Sequence, residues 1–137
     1  LEVQFELGEK HAGSFDQGTV DELLRDGDEW LQAGASQLVI EARESASAVG
    51  LFDEKGTLNE KLAQQFMDHF GEEKTLFEVA VKKSQFALLD FFGRGVFLGN
   101  IRLEEVLRVE IYRRGLHSDA FRNERLRPHG PGRSRTR

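Results

Sequence analysis

Short apolar runs alternate with amphipathic stretches along most of this chain. The runs are Val3-Gln4-Phe5-Glu6-Leu7, Gln37-Leu38-Val39-Ile40-Glu41, Thr75-Leu76-Phe77-Glu78-Val79 and Val96-Phe97-Leu98-Gly99. They are brief and rich in β-branched or aromatic residues, which predicts strands. Between them, apolar residues recur at helical spacing. Val20, Leu23, Leu24 and Leu31 form a stripe within Asp16 to Ala33, and Leu62, Phe66 and Phe70 mark Asn59 to Phe70. Phe86, Leu89 and Phe92 mark Ser84 to Phe92, and Leu103, Val106, Leu107 and Ile111 mark Leu103 to Arg114. Gly34, Gly71, Gly93 and Gly115 follow these stretches, as helix stops do. Thr19 with Glu22 reads as a capping box for the first helix. The order β-α-β-α-β-α-β-α predicts an α/β fold, with parallel strands joined by right-handed crossovers.

Composition narrows the choice. The chain has 137 residues, 39% hydrophobic and 31% charged, enough for one domain with a real core. It is about half of the ~250 residues that a (β/α)8 barrel usually needs. No apolar run approaches the ~20 residues of a membrane span, and no basic-then-apolar leader opens the chain. The absence of cysteine excludes disulfides, thiolate metal ligands and a Cys nucleophile. Together these features predict a cytoplasmic setting. Charge is uneven. Residues 122–137 hold six of the 19 basic residues and one of the 24 acids, leaving 13 basic and 23 acidic residues in 1–121. An acidic body argues against a nucleic-acid partner, because phosphate contacts need surface Lys and Arg. The expected organisation is a folded body over 1–121 and a basic, solvated tail over 122–137.

The ends of the first three runs look alike. Phe5-Glu6, Ile40-Glu41 and Phe77-Glu78 each set a Glu after a large apolar residue. A Glu near the end of a buried parallel strand needs a reason. In α/β folds sites form at the carboxyl ends of strands. Three carboxylates there, if in register, suit Mg2+, a hard cation that prefers oxygen. The alternative is that each Glu pairs with a neighbouring cation on the rim. Basic residues follow at once: Lys10 and His11, then Arg43, then Lys82 and Lys83. Gly93, Gly95 and Gly99 flank the fourth run, with Asn100 at its end. Exposed backbone N–H groups in such loops suit a phosphate. A small, anionic, phosphorylated substrate fits that mouth. The histidines read as bystanders: His69 exposed late in a helix, His129 in the tail, and His11 and His117 in loops. Trp30 and Met67 read as core or helix-packing residues.

These motifs, in this order, resemble the phosphosulfolactate synthases, a family that also includes plant heat-stress-associated proteins. The resemblance rests on Glu6-Leu7-Gly8-Glu9-Lys10, Ile40-Glu41-Ala42-Arg43-Glu44-Ser45, Gly50-Leu51-Phe52-Asp53, Phe77 to Gln85, Val96 to Ile101, and Arg113 to Asp119. It spans roughly residues 3–121 and matches the second half of that family, strands five to eight of a (β/α)8 TIM barrel. It implies a lyase that adds sulfite to phosphoenolpyruvate with Mg2+, giving (2R)-phospho-3-sulfolactate, the step that opens coenzyme M biosynthesis in methanogens. Under the resemblance Lys10, Glu41 and Arg43 are catalytic, with Lys10 the proton donor to C2. Lys82, Gln85, Gly99 and Asn100 bind substrate, and Glu6, Glu41 and Glu78 hold the metal. There are departures: Gly8-Glu9-Lys10 stands where the family often has Gly-Lys-Lys, and His117-Ser118 where it often has Arg-Gly.

Half a barrel has a physical consequence. Four parallel strands with helices on one side leave an inner face uncovered and two edges unpaired, a known route to association. The expectation is a homo-oligomer of half-barrels, or pairing with a separate N-terminal half. A non-catalytic stress-tolerance protein of the same fold, or an inactive remnant, is the alternative to the enzyme.

Overall fold

The computed structural model describes residues 1–7, 16–42, 50–53 and 55–127. Strand β1 (Gln4–Leu7) leads to helix α1 (Gln17–Gln32), then β2 (Gln37–Glu41), α2 (Glu60–Phe70), β3 (Thr75–Glu78), α3 (Lys82–Phe92), β4 (Phe97–Gly99) and α4 (Val106–Arg113). The strands form one sheet in the order β1-β2-β3-β4, every pair parallel. This α/β arrangement is that of half a TIM barrel.

Alternation along the strands decides which face is covered. Leu7, Leu38, Ile40, Thr75 and Phe77 are buried, at 0–3% exposure. They meet helix residues such as Val20, Ala63, Phe66 and Leu89 in one apolar core. On the opposite face Glu6 and Phe97 are exposed, and Val39, Glu41, Leu76 and Glu78 are half-buried. Successive side chains of a strand point to opposite faces, so the helices pack on one side only.

Local chemistry sets the helix ends. The α1 cap is Asp16, whose carboxylate accepts from the Thr19 N–H at 2.8 Å; the expected Thr19–Glu22 box gives way to it. A short acidic side chain just ahead of the first turn answers an orphan N–H and suits the helix dipole. Asn59 plays that part for α2, accepting from the Leu62 N–H at 3.1 Å. Gly71 and Gly93 stop α2 and α3 at φ 88° and 90°, where a side chain would be strained. Helix α3 begins at Lys82, two residues before the expected start at Ser84. The fourth helical stretch opens as a 3-10 turn over Leu103–Glu105 before α4 proper.

Two expectations shift, those for Trp30 and the start of the tail, while the exposure expected of His69 holds. Trp30 is partly exposed and stacks on Phe5 at 3.7 Å between ring centroids. His69 is exposed, and its Nε2 lies 3.0 Å from an Asp28 carboxylate oxygen, tying α2 to α1. Residues 122–127 are not wholly solvated: Arg122, Glu124, Arg125 and Arg127 are exposed, but the segment is anchored to the body. Leu126 is fully buried, its carbonyl accepts from Arg94 Nε at 2.8 Å, and the Arg125 guanidinium donates to the Phe91 carbonyl. Residues 128–137 of the expected tail lie outside the described residues.

Candidate functional site

The carboxyl ends of β2, β3 and β4 form a continuous row. Glu41 is the register partner of Glu78, and Glu78 that of Gly99. Neighbouring strands run about 4.8 Å apart, so the two residues stand side by side on the face away from the helices, where Glu41 Oε2 is shut off from solvent. The backbone ladder carries on past the strands, with the Ala42 N–H donating to the Glu78 carbonyl and the Val79 N–H to the Gly99 carbonyl, each at 3.2 Å.

The β4 end of the row is specialised. Asn100 adopts φ 58°, the left-handed region that Asn tolerates better than other side chains. Its amide Nδ2 donates to Glu78 Oε1 at 3.1 Å. Strained backbone of this kind concentrates at working sites. Gly99 is closely packed: a Cβ there would lie 2.6 Å from Leu76 Cδ2, and the end of that side chain would have to turn aside. Arg102 follows, exposed, just ahead of the 3-10 turn. Sequence reasoning passed over Arg102; its place after a strand-end Gly-Asn pair was the available signal.

Glu6 does not stand level with the other two carboxylates. It pairs with Val39, two positions before Glu41, which sets it about 6–7 Å lower on the same face. The register is fixed at the strand start. The Val3 N–H donates to Ser36 Oγ at 2.9 Å, the Ser36 N–H to the Val3 carbonyl at 2.7 Å, and Gln4 Nε2 to Gln37 Oε1 at 2.8 Å. The expected row of three carboxylates is therefore a row of two. Among the described residues no three His, Cys, Asp or Glu side chains gather as a group that could hold a metal ion. Two adjacent carboxylates still fit Mg2+, which keeps waters and completes its shell with substrate oxygens.

The other expected site residues divide. Lys10 and Arg43 lie outside the described residues. Lys82 is exposed, with its ammonium 5.2 Å above the Phe86 ring. Gln85 is fully buried, corrected from a substrate contact to an internal strut. Its Nε2 donates to the Val79 carbonyl at 3.3 Å and its Oε1 accepts from Arg108 at 3.4 Å. Arg108 also reaches Glu105 at 3.1 Å, and chiefly that contact holds the Glu105 carboxyl below its ordinary range. The Gly50-Leu51-Phe52-Asp53 motif is structural in its described part. Leu51 and Phe52 are buried, and Asp53 Oδ1 accepts from the Lys55 and Thr57 N–H groups at 2.9 and 2.8 Å. Those bonds, led by Thr57, lower the Asp53 pKa.

His117 sits against the Phe86 and Tyr112 rings, 5.3 and 5.5 Å away, in the helix layer. A cleft of about 510 Å3 opens between α2 and α3, lined by Glu60, Lys83, Asp90 and Arg125 among others. It too belongs to the helix side, away from the Glu41–Glu78 row.

Comparison with known proteins places these features in context. A family model described as (2R)-phospho-3-sulfolactate synthase (ComA) matches residues 1–119. The phosphosulfolactate synthase of Methanocaldococcus jannaschii is 36% identical over 119 residues, 87% of this chain and 47% of that protein. The Methanothermobacter thermautotrophicus enzyme is 37% identical over 91 residues, 66% of this chain and 35% of its own. That of Bacillus subtilis is 28% identical over 120 residues, covering 87% and 47%. The chain thus spans about half the length of the curated relatives it matches. No helix among the described residues is long and apolar enough to cross a membrane.

Proposed function

This chain belongs to the (2R)-phospho-3-sulfolactate synthase family, and on that footing we propose that it carries part of a site for adding sulfite to phosphoenolpyruvate. The observation that carries the reading is the row of Glu41, Glu78 and Asn100 at the carboxyl ends of parallel strands, with Asn100 in a left-handed conformation and bonded to Glu78. Sites of α/β folds collect at that end of the sheet.

The chemistry is conjugate addition. The sulfite sulfur forms a bond to C3, the C2–C3 π pair moves onto the carboxylate, and a proton is then delivered to C2 while the phosphate ester stays intact. Glu41 and Glu78 are the residues that would hold Mg2+, which supplies charge stabilisation for the substrate carboxylate when bound. Lys10 is the proposed proton donor, and Arg43 and Lys82 the cations that draw in the anions. Gly99, Asn100 and Arg102 are proposed to receive the phosphate, a use common at the last strands of a barrel.

The test is loss of phosphoenolpyruvate in the presence of sulfite and Mg2+. Measurements use the chain alone and the chain mixed with the remaining half of a relative. Expected are Mg2+-dependent turnover in one of those settings and a drop of about a hundredfold or more for Glu78→Gln. Asn100→Ala is expected to raise KM for phosphoenolpyruvate and spare kcat. Absence of turnover in both settings, from protein with intact circular dichroism, overturns the assignment.

A further inference from the structure

We infer that Gln85 and Arg108 are positioning residues, a brace that fixes the end of β3 against the end of β4. The inference rests on the proposed function, since it concerns the same Glu78–Asn100 pair. A closed circuit of contacts carries it. The Gln85 amide donates to the Val79 carbonyl at 3.3 Å, and Val79 directly follows Glu78. The Val79 N–H donates to the Gly99 carbonyl at 3.2 Å, and Gly99 directly precedes Asn100. Two residues on, the Arg102 carbonyl accepts from the Glu105 N–H at 2.9 Å. The Glu105 carboxylate meets Arg108 Nη2 at 3.1 Å, and the same nitrogen donates to Gln85 Oε1 at 3.4 Å, which closes the ring. Val79 is thus held from both sides, its N–H by β4 and its carbonyl by α3.

Burial argues that the link is more than packing. Gln85 is fully buried, beside Phe86, Leu88 and Leu89 on the inward side of α3. An amide there costs free energy unless it is bonded, and Met would fill the same space without that demand. A hydrogen bond adds direction, because it weakens steeply when bent. Direction is what this corner needs. Strands β3 and β4 share three register pairs, a short ladder to fix the ends of both. Just beyond it Asn100 holds φ 58° and donates to Glu78 at 3.1 Å. A backbone of that kind persists only where its surroundings over-determine it. Neither Gln85 nor Arg108 touches substrate in this reading; both act through Glu78 and Asn100.

Two variants of the full chain test the brace. Gln85→Met keeps the volume and removes both bonds. Arg108→Met cuts the circuit at a half-buried residue, where the fold tolerates the change even if Gln85→Met unfolds. Nuclear magnetic resonance reads the Asn100 side-chain amide and the hydrogen exchange of the Val79 N–H. In each folded variant the Asn100 amide is expected to move toward the shift of a solvated Asn. Val79 exchange is expected to quicken by about tenfold or more relative to the amides of β2. A role in stability alone would quicken both strands together, and that result overturns the inference. So does an Asn100 amide that stays in place in both variants. Where the unchanged chain turns over, kcat/KM for phosphoenolpyruvate is expected to fall about tenfold in either variant. An unaltered kcat/KM beside a displaced Asn100 amide also overturns the inference. Absence of turnover by the unchanged chain overturns the proposed function instead, and the resonance result still decides the brace.

Discussion

The two faces of the same four strands differ sharply. The helix-covered face holds Leu38, Ile40, Thr75 and Phe77 at 0–1% exposure. The opposite face holds carboxylates, among them an exposed Glu6, and an exposed Phe97. Residues one position apart in sequence thus serve different ends. One face buries area and supplies the stability; the other carries strand-end carboxylates that a ligand could meet. A chain that needed only to fold would have little reason to put Glu78 beside Phe77.

The contrast can be broken at its strongest point. Phe77 is fully buried and stacks on Phe92 at 5.5 Å. Phe77→Ala is expected to cost about 3–5 kcal/mol in a urea titration, a large part of the stability of a domain this size. A loss of less than about 1 kcal/mol would mean that this face is not the core. Next comes Gly27, where α1 crosses α2. A Cβ there would lie 2.4 Å from the Phe70 ring. Alanine normally improves a helix by up to about 1 kcal/mol, yet Gly27→Ala is expected to lower stability by about 1–2 kcal/mol through overpacking. A raised melting temperature would contradict the close packing of those helices.

A subtler probe is Tyr112, whose hydroxyl donates to both oxygens of Asp90 at 2.8 and 2.9 Å. Burial first, and the Asp90 carboxylate second, push the phenol above its ordinary value of 10.0. The folded protein therefore holds that proton more tightly than the unfolded chain. The contribution is complete below about pH 10 and is lost as pH rises beyond it. Tyr112→Phe is expected to cost about 1–2 kcal/mol at neutral pH and to flatten the alkaline fall in denaturant midpoint. An unchanged alkaline limb would exclude Tyr112 as its source. The smallest effect belongs to the uncovered face. Phe97→Ser is expected to shift the stability of the dilute protein by less than about 0.5 kcal/mol. A loss above about 1 kcal/mol would mean that Phe97 is packed rather than exposed.

Much of this architecture was legible because it follows from period. Alternation at two marked the strands, recurrence near 3.6 marked the helices, and a glycine closed each helix. Less legible was anything decided by polar contacts across the fold. The offset of Glu6 comes from the Ser36 hydroxyl and the Gln4–Gln37 amide pair, none of which stands out in an apolar pattern. Gln85 reads as a substrate contact until Val79 and Arg108 are seen around it. Leu126, a lone apolar residue among arginines, gave no periodic signal, yet it enters the core. Glu41, Glu78 and Asn100 were legible as strand-end polar residues, but the bond between Glu78 and Asn100 was not.

That last burial bears on how the molecule is to be cut. Likeness to the family stops at residue 119, whereas packing runs on through Arg127. Trimming at the edge of likeness would remove Leu126 from the core and the carbonyl that receives the Arg94 guanidinium. The loss would fall on the groove of α3 and α4, where Asn123 also reaches Asp90. A piece for expression therefore runs at least through Leu126, the last buried side chain among the described residues, and not only to where the shared ancestry fades.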